Sequence, residues 1–254
     1  RTAERLAAQV TALIPPPNVL EFEKVYMPLI MGGKKRYAGM KYDEGRSPPT
    51  LDVKGYEMVR RDNFPLLPAT MRTMVNQILA YNVEAAEKTA MQCVRQLHET
   101  PSHQLDLKQL SLCKELTKPI ESYAVKPPHV VVASRLPGVA VKDRVSYIVS
   151  QGRGSIADKA VHPSEWDHSK HEVDAQWYAA QMITALSRIL DLCSPTGKTT
   201  AFNHEVSAVT ATGNAGIMRM LGADDTLVWR KRARVVSPDS RKKQRQMTLF
   251  EALK

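Results

Sequence analysis

Glu21 and Glu23 stand two apart in Leu20-Glu21-Phe22-Glu23. On a β-strand, residues two apart share a face. The spacing therefore predicts two carboxylates pointing one way, with Phe22 on the other side. Hard carboxylate oxygens suit a divalent cation such as Mg²⁺, and two ordinary solvent-facing acids fit the same pattern. Farther on, Lys34-Lys35-Arg36-Tyr37 forms a basic cluster at the tip of a predicted hairpin. Alternation puts Lys35 and Tyr37 on one face and Lys34 and Arg36 on the other. Such a cluster is a solvated turn by default. A third string joins Lys54-Gly55 to Arg60-Arg61-Asp62-Asn63. Gly55 permits close backbone approach or a positive φ, and the adjacent arginines with their acid read either as an internal salt-bridge knot or as a ligand site.

These residues need elements to hold them. Residues 3–14 read as a helix with Ala3, Leu6, Ala7, Val10, Leu13 and Ile14 on one face, stopped by Pro15-Pro16-Pro17. Val19 to Ile30 reads as a strand, Gly32-Gly33 as a turn, and Arg36 to Tyr42 as the returning strand. Gly45 to Pro49 is a loop before a short strand through Val53. From Ala69 the period becomes helical, with Met71, Met74, Val75, Ile78 and Leu79 on one stripe and a second helix from Val83 to His98. Residues 104–118 are mixed, and Asp143 to Val149 is a short alternating strand. Asp174 to Cys193 is the longest clean helix, with Trp177, Met182, Ile183, Leu186, Ile189 and Leu190 available for a core.

The chain has 254 residues and a formal net charge of +10, a balance suited to an acidic partner, most commonly nucleic acid. Residues 230–245 hold eight Lys or Arg and one acid, Asp239. A tail of that kind is expected to stay disordered until it meets a polyanion. Three widely spaced cysteines imply no disulfide framework and point to a reducing compartment. No stretch has the length of a membrane span, and the start has no signal-peptide pattern. The first residue is Arg1, so the sequence is expected to be a piece of a longer chain or a processed product.

Two suggestive groupings fail on their own chemistry. Gly197-Lys198-Thr199 suggests a phosphate loop, but position 192 is Leu where that loop needs Gly. His162, His168 and His171 with Asp167 and Glu172 make a metal site only on paper, without zinc-type cysteines.

Three strings, Leu20-Glu21-Phe22-Glu23-Lys24-Val25-Tyr26, Lys34-Lys35-Arg36-Tyr37-Ala38-Gly39 and Lys54-Gly55-Tyr56-Glu57-Met58-Val59-Arg60-Arg61-Asp62-Asn63, resemble in order and spacing a stretch of the family B DNA polymerases, nearest to delta-type and large-DNA-virus enzymes. The stretch is the one running from the back of the palm into the thumb. Lys114-Glu115-Leu116-Thr117-Lys118 resembles the family's thumb motif. Asp143-Arg144-Val145-Ser146-Tyr147 is similar to its Asp-Arg-Val-Pro-Tyr string, with Ser146 for the usual Pro and Lys142 where Gly is common. Asp174-Ala175-Gln176-Trp177-Tyr178 is similar to a thumb helix opening Asp-x-Gln-Tyr-Tyr. The resemblance covers residues 1 to about 195 well and 196–228 weakly.

The resemblance implies an α+β fold. Residues 1–68 would be the hairpin-containing end of the palm, 69–228 a mainly helical thumb, and 229–254 a basic disordered tail. It makes Glu23, and less strongly Glu21, an accessory acid near the catalytic metals. Every Watson–Crick pair shows an acceptor at the same minor-groove place. Lys35 and Tyr37 inherit the minor-groove contact at the primer end, with Lys34 and Arg36 on phosphates. Lys54, Arg60, Arg61, Lys114 and Lys118 are expected on the duplex backbone, where thumbs grip.

The two metal-binding aspartate motifs, the fingers helix and the proofreading domain are missing from this sequence. It is therefore expected to be inert alone. Its Mg²⁺ would be held mainly by an upstream piece, which would also bring the dNTP to primer–template DNA. Gln246 and Leu249 fit part of a sliding-clamp peptide, with Phe250 out of register; a frayed amphipathic tail fits too. Cysteine-rich terminal modules are absent, which favours a viral or divergent source, working inside the cell in the nucleus or at a viral replication site. A non-catalytic DNA-binding or processivity module is the alternative, and a structural remnant without salt-sensitive DNA affinity is a third.

Overall fold

Met71, Met74, Val75 and Ile78 are each fully buried along helix α2 (Leu66–Leu79), as their three- and four-residue spacing requires. The computed structural model describes residues 2–43 and 48–193. These fall into two compact units, one up to Lys54 and one from Gly55. The class is mixed, with helices and two small antiparallel sheets. No described helix is long and apolar enough to cross a membrane.

The first unit holds α1 (Thr2–Thr11), β1 (Lys24–Gly33), β2 (Arg36–Asp43) and β3 (Thr50–Lys54). The strands form one antiparallel sheet in the order β1-β2-β3. Ile30, Ala38 and Val53 are its buried apolar residues, and α1 buries none. Three expectations fail here. The first strand begins at Lys24, not Val19, because Lys24 pairs with Asp43, the last residue of β2. Leu20 instead turns back to α1, its amide donating to Thr11 Oγ1 at 2.9 Å. The turn is Lys34–Lys35, not Gly32–Gly33, since Gly33 is still paired with Arg36. The first helix also stops at Thr11, short of Ile14.

The second unit contains α2, α3 (Val83–Glu99), α4 (Leu107–Leu110), β4 (Leu112–Glu115), α5 (Pro128–Ala133), β5 (Arg144–Val149), β6 (Ala160–Val161) and α6 (Ala175–Cys193). Helices α2, α3 and α6 pack on one another, while α5 packs against the β4-β5-β6 sheet. Asn82 starts α3 by accepting the Ala85 amide at 3.0 Å, a standard side-chain cap. Tyr178 couples helix to sheet: its hydroxyl accepts the Val149 amide at 3.0 Å, and its ring meets Phe64 edge-on at 4.9 Å. Trp177 is only half-buried, and the adjacent Tyr178 takes the core place. The helix face is set by the Met182, Ile183, Leu186, Ile189 and Leu190 stripe, and Tyr178 lies one turn before Met182 on it.

Candidate nucleic-acid interface

In the first unit, Lys34 and Lys35 are the two turn residues between β1 and β2, and both are exposed with Arg36. Lys35 takes φ 58°, the left-handed region. Strand alternation therefore does not assign faces to Lys34 and Lys35, which corrects the sequence reading. Tyr37 is the first β2 residue paired with β3, sitting opposite Lys54, the last residue of β3. The turn, Tyr37 and Lys54 thus share one end of the sheet.

Tyr37 is half-buried, and its hydroxyl is engaged. It lies 3.5 Å from Asp52 Oδ2 and 3.4 Å from the Tyr26 hydroxyl, and Tyr26 also donates to Asp52. Burial, helped by the bonds to Asp52 and Tyr37, holds the Tyr26 phenol well above its ordinary range. Tyr26 and Asp52 escaped sequence reasoning. Gly39 was the usable signal: a Cβ there would stand 2.9 Å from the Pro28 carbonyl oxygen and 3.2 Å from Tyr26 Cδ1. The glycine leaves the room that the Tyr26 ring occupies.

Glu21 and Glu23 precede β1 and lie off the sheet ladder, so the shared strand face predicted for them is not formed. Glu23 is exposed and pairs with Lys24 at 2.7 Å, which raises the lysine's pKa. Among the described residues no group of three or more His, Cys, Asp or Glu could hold a metal ion. The donors present do not by themselves fit Mg²⁺, which prefers several hard oxygens in near-octahedral array.

In the second unit, Arg60, Arg61, Lys114 and Arg144 line a cleft of 530 Å³ together with Asp62 and Glu115. Four cations face two carboxylates there. Arg60 spends its guanidinium on Asp62 through two bonds, Nε to Oδ1 at 3.1 Å and Nη2 to Oδ2 at 2.9 Å. That pair holds the Asp62 carboxyl below its usual range. The salt-bridge reading of the double arginine applies to Arg60; Arg61, like Arg60, is exposed. Arg144 fixes the wall, donating through Nη2 to the carbonyls of Arg61 at 2.9 Å and Cys113 at 2.8 Å. Lys114 stands on β4 opposite Val145 of β5.

Lys118 lies outside that lining, with Nζ 4.7 Å from the centre of the Tyr123 ring. Tyr123 does line the cleft, its hydroxyl accepting the Thr117 amide at 3.1 Å. His129, 7% exposed, completes the floor. Its Nδ1 is buried with no partner, and burial followed by the charge of Lys114 pushes its pKa down.

The paper metal site among the histidines does not assemble. His162 Nδ1 lies 2.6 Å from Ser164 Oγ, and His171 Nδ1 accepts the Asp167 amide at 3.1 Å. Gly197-Lys198-Thr199, the basic tail, and Gln246, Leu249 and Phe250 lie outside the described residues.

The family model for DNA polymerase family B matches residues 1–193. The chain belongs to DNA polymerase family B. It is 31% identical over 197 residues to a DNA polymerase of Thermococcus aggregans, covering 75% of this chain and 10% of that protein. It is 35% identical over 159 residues to the DNA polymerase delta catalytic subunit of Schizosaccharomyces pombe, covering 60% of this chain and 14% of that one. The family B DNA polymerase of the archaeon Pyrobaculum calidifontis superposes with a TM-score of 0.56 at 25% identity, over 73% of this chain and 24% of that one. The chain therefore spans from about a tenth to about a quarter of the length of these relatives.

Proposed function

We propose that this chain is the palm-end and thumb portion of a family B DNA polymerase and that it grips primer–template duplex during nucleotidyl transfer. The observation that carries the reading is the cleft of the second unit, where Arg61, Lys114 and Arg144 gather in a chain of this family. Phosphate oxygens are the natural acceptors for such a cation group. The exposed turn of Lys34, Lys35 and Arg36 supplies a second set of donors, and Lys35 is the residue for the minor-groove acceptors that all base pairs share. Lys54 is exposed and supports the same role.

The chemistry needs what these residues do not provide. Template-directed transfer is metal-assisted, and Glu23 offers one exposed carboxylate engaged by Lys24. The proposal therefore assigns Mg²⁺ and dNTP binding to an upstream palm polypeptide, with Glu23 at most beside it. Binding of a sliding clamp through Gln246, Leu249 and Phe250 belongs to the same proposal.

The test is salt-dependent binding of the whole chain to primer–template duplex, followed by capture of partners from the native source. Arg61→Ala and Lys114→Ala should each weaken binding across sequences and lower the salt slope by about one unit. Lys35→Ala should reduce primer extension by the captured complex more than it reduces binding. Binding without salt sensitivity, or a captured complex without Mg²⁺-dependent extension, would overturn the polymerase reading.

A further inference from the structure

Tyr37 belongs to the charged turn by sequence but to the sheet by contact. Its hydroxyl faces Asp52 Oδ2 and the Tyr26 hydroxyl, and the two rings meet edge-on with centroids 5.4 Å apart. The register explains the convergence. Gly39 pairs with Asp52 on β3, so Asp52 is the diagonal neighbour of Tyr37 on the same face. On the other side of β2, Gly39 pairs with Leu29, and the Tyr26 ring crosses the open space above the glycine to reach Asp52. Lys24 also feels this cluster, through the charges of Tyr37 and Asp52.

A phenol whose proton is committed inside a sheet is a poor donor to a ligand. Its value lies in what it holds still. A single residue, Arg36, separates Tyr37 from Lys35, whose left-handed backbone is the sparsely populated part of the turn. We propose that Asp52 is a positioning residue, accepting from Tyr26 and Tyr37 so that the Tyr37 ring fixes the Lys34–Lys35 turn for DNA. The inference rests on the duplex-gripping reading above. It gives Tyr37 the task of placing the turn, not of donating its hydroxyl to DNA.

Asp52→Ala in the whole chain should weaken primer–template binding about tenfold, the worth of a hydrogen bond to a charged group. Asp52→Asn keeps an acceptor oxygen and should restore affinity to within about threefold. Tyr37→Phe removes the longer of the two bonds to Asp52, leaves the Tyr26–Asp52 bond in place and should fall between wild type and Asp52→Ala in affinity. Phenolate absorbance gives the independent signature: Asp52→Ala removes one of the causes that raise the Tyr26 phenol and should lower its titration, while burial still holds it above the ordinary range. Circular dichroism checks that the variants remain folded, and Tyr26→Phe, which removes a single donor, should fall between wild type and Asp52→Ala in affinity.

If Tyr37→Phe loses clearly more affinity than Asp52→Ala, the hydroxyl acts beyond its bond to Asp52 and the proposal is wrong. It is equally overturned if wild type binds duplex and Asp52→Ala binds it equally well. A wild-type chain with no duplex affinity would sink the polymerase reading first, and with it any positioning role for Asp52.

Discussion

The two sheets each carry a lysine in left-handed backbone, but they do so for different reasons. Lys35, at φ 58°, is in the exposed turn of the β1-β2 hairpin, between a lysine and an arginine. Lys142, at φ 78°, precedes β5, where its amide donates to the Leu116 carbonyl at 2.8 Å. Around Lys35 little is packed: the first unit buries Ile30, Ala38 and Val53, and α1 leaves Leu6 at 48% and carries no buried residue. Around the second sheet, Val145, Tyr147, Ile148, Val149, Val130 and Val132 are all buried. The cations follow the same division. Arg144 is anchored by two carbonyls and Arg60 by a carboxylate, whereas Lys34, Lys35 and Arg36 project from a turn. Buried apolar packing is concentrated in the second unit, and the hairpin presents charge with modest support.

The largest expected effect tests that division. Leu186→Ala, at a fully buried position of α6, should cost about 2–5 kcal/mol in chemical denaturation. Leu6→Ala on α1 should change stability by no more than about 0.5 kcal/mol. Comparable losses from the two would show that α1 is packed as tightly as α6, and the contrast would fail.

The paired lysines sharpen the comparison at smaller magnitude. Glycine adopts positive φ without the Cβ penalty, which is about 1 kcal/mol or more for other residues. Part of that gain is offset by the extra entropy glycine gives the unfolded chain. Lys142→Gly should therefore stabilise by up to about 1 kcal/mol and leave duplex affinity unchanged. Lys35→Gly should give a similar gain while reducing primer extension, because it removes the turn's donor. A functional loss at Lys142 or none at Lys35 would reverse the assignment of strain to function.

Much of this was legible in the residues, for identifiable reasons. The stripes on α2 and α6 were readable because a buried helix face repeats within one element and needs no partner to be recognised. Glycine being common in the family at the place of Lys142 is explained by its positive φ. What misled was Leu20-Glu21-Phe22-Glu23, whose alternation satisfies a strand pattern although β1 begins only at Lys24, which pairs with Asp43. The Tyr26–Asp52–Tyr37 network was invisible for the opposite reason. Its members come from three strands, and only the cross-strand register brings them together. The cleft was half-read: Arg61 and Lys114 were expected, but Arg144 and His129 enter through β5 and α5, whose pairing no local pattern announces.

His129 provides the smallest and most specific test of how the second unit holds its cleft. Its ring is buried on α5 beside Lys114 of β4, meets the Tyr123 ring at 6.4 Å, and shares the lining with Arg144, Asp62 and Glu115. Burial, then Lys114, depresses its pKa in the folded chain. A depressed folded value means that the unfolded chain binds the proton first as pH falls. Stability is then intact above about pH 6.5, the ordinary imidazole value. It declines as pH drops below that value and levels off under the folded pKa. His129→Phe keeps the ring volume, removes the titration and removes a buried nitrogen without a partner. The difference in denaturation midpoint between wild type and His129→Phe should therefore shift in the variant's favour between pH 7.5 and pH 5.5. Subtracting the variant cancels the other histidines, including His162 and His171. A difference that stays constant across that window would mean that the folded cleft accommodates the imidazolium, with Asp62 or Glu115 outweighing Lys114.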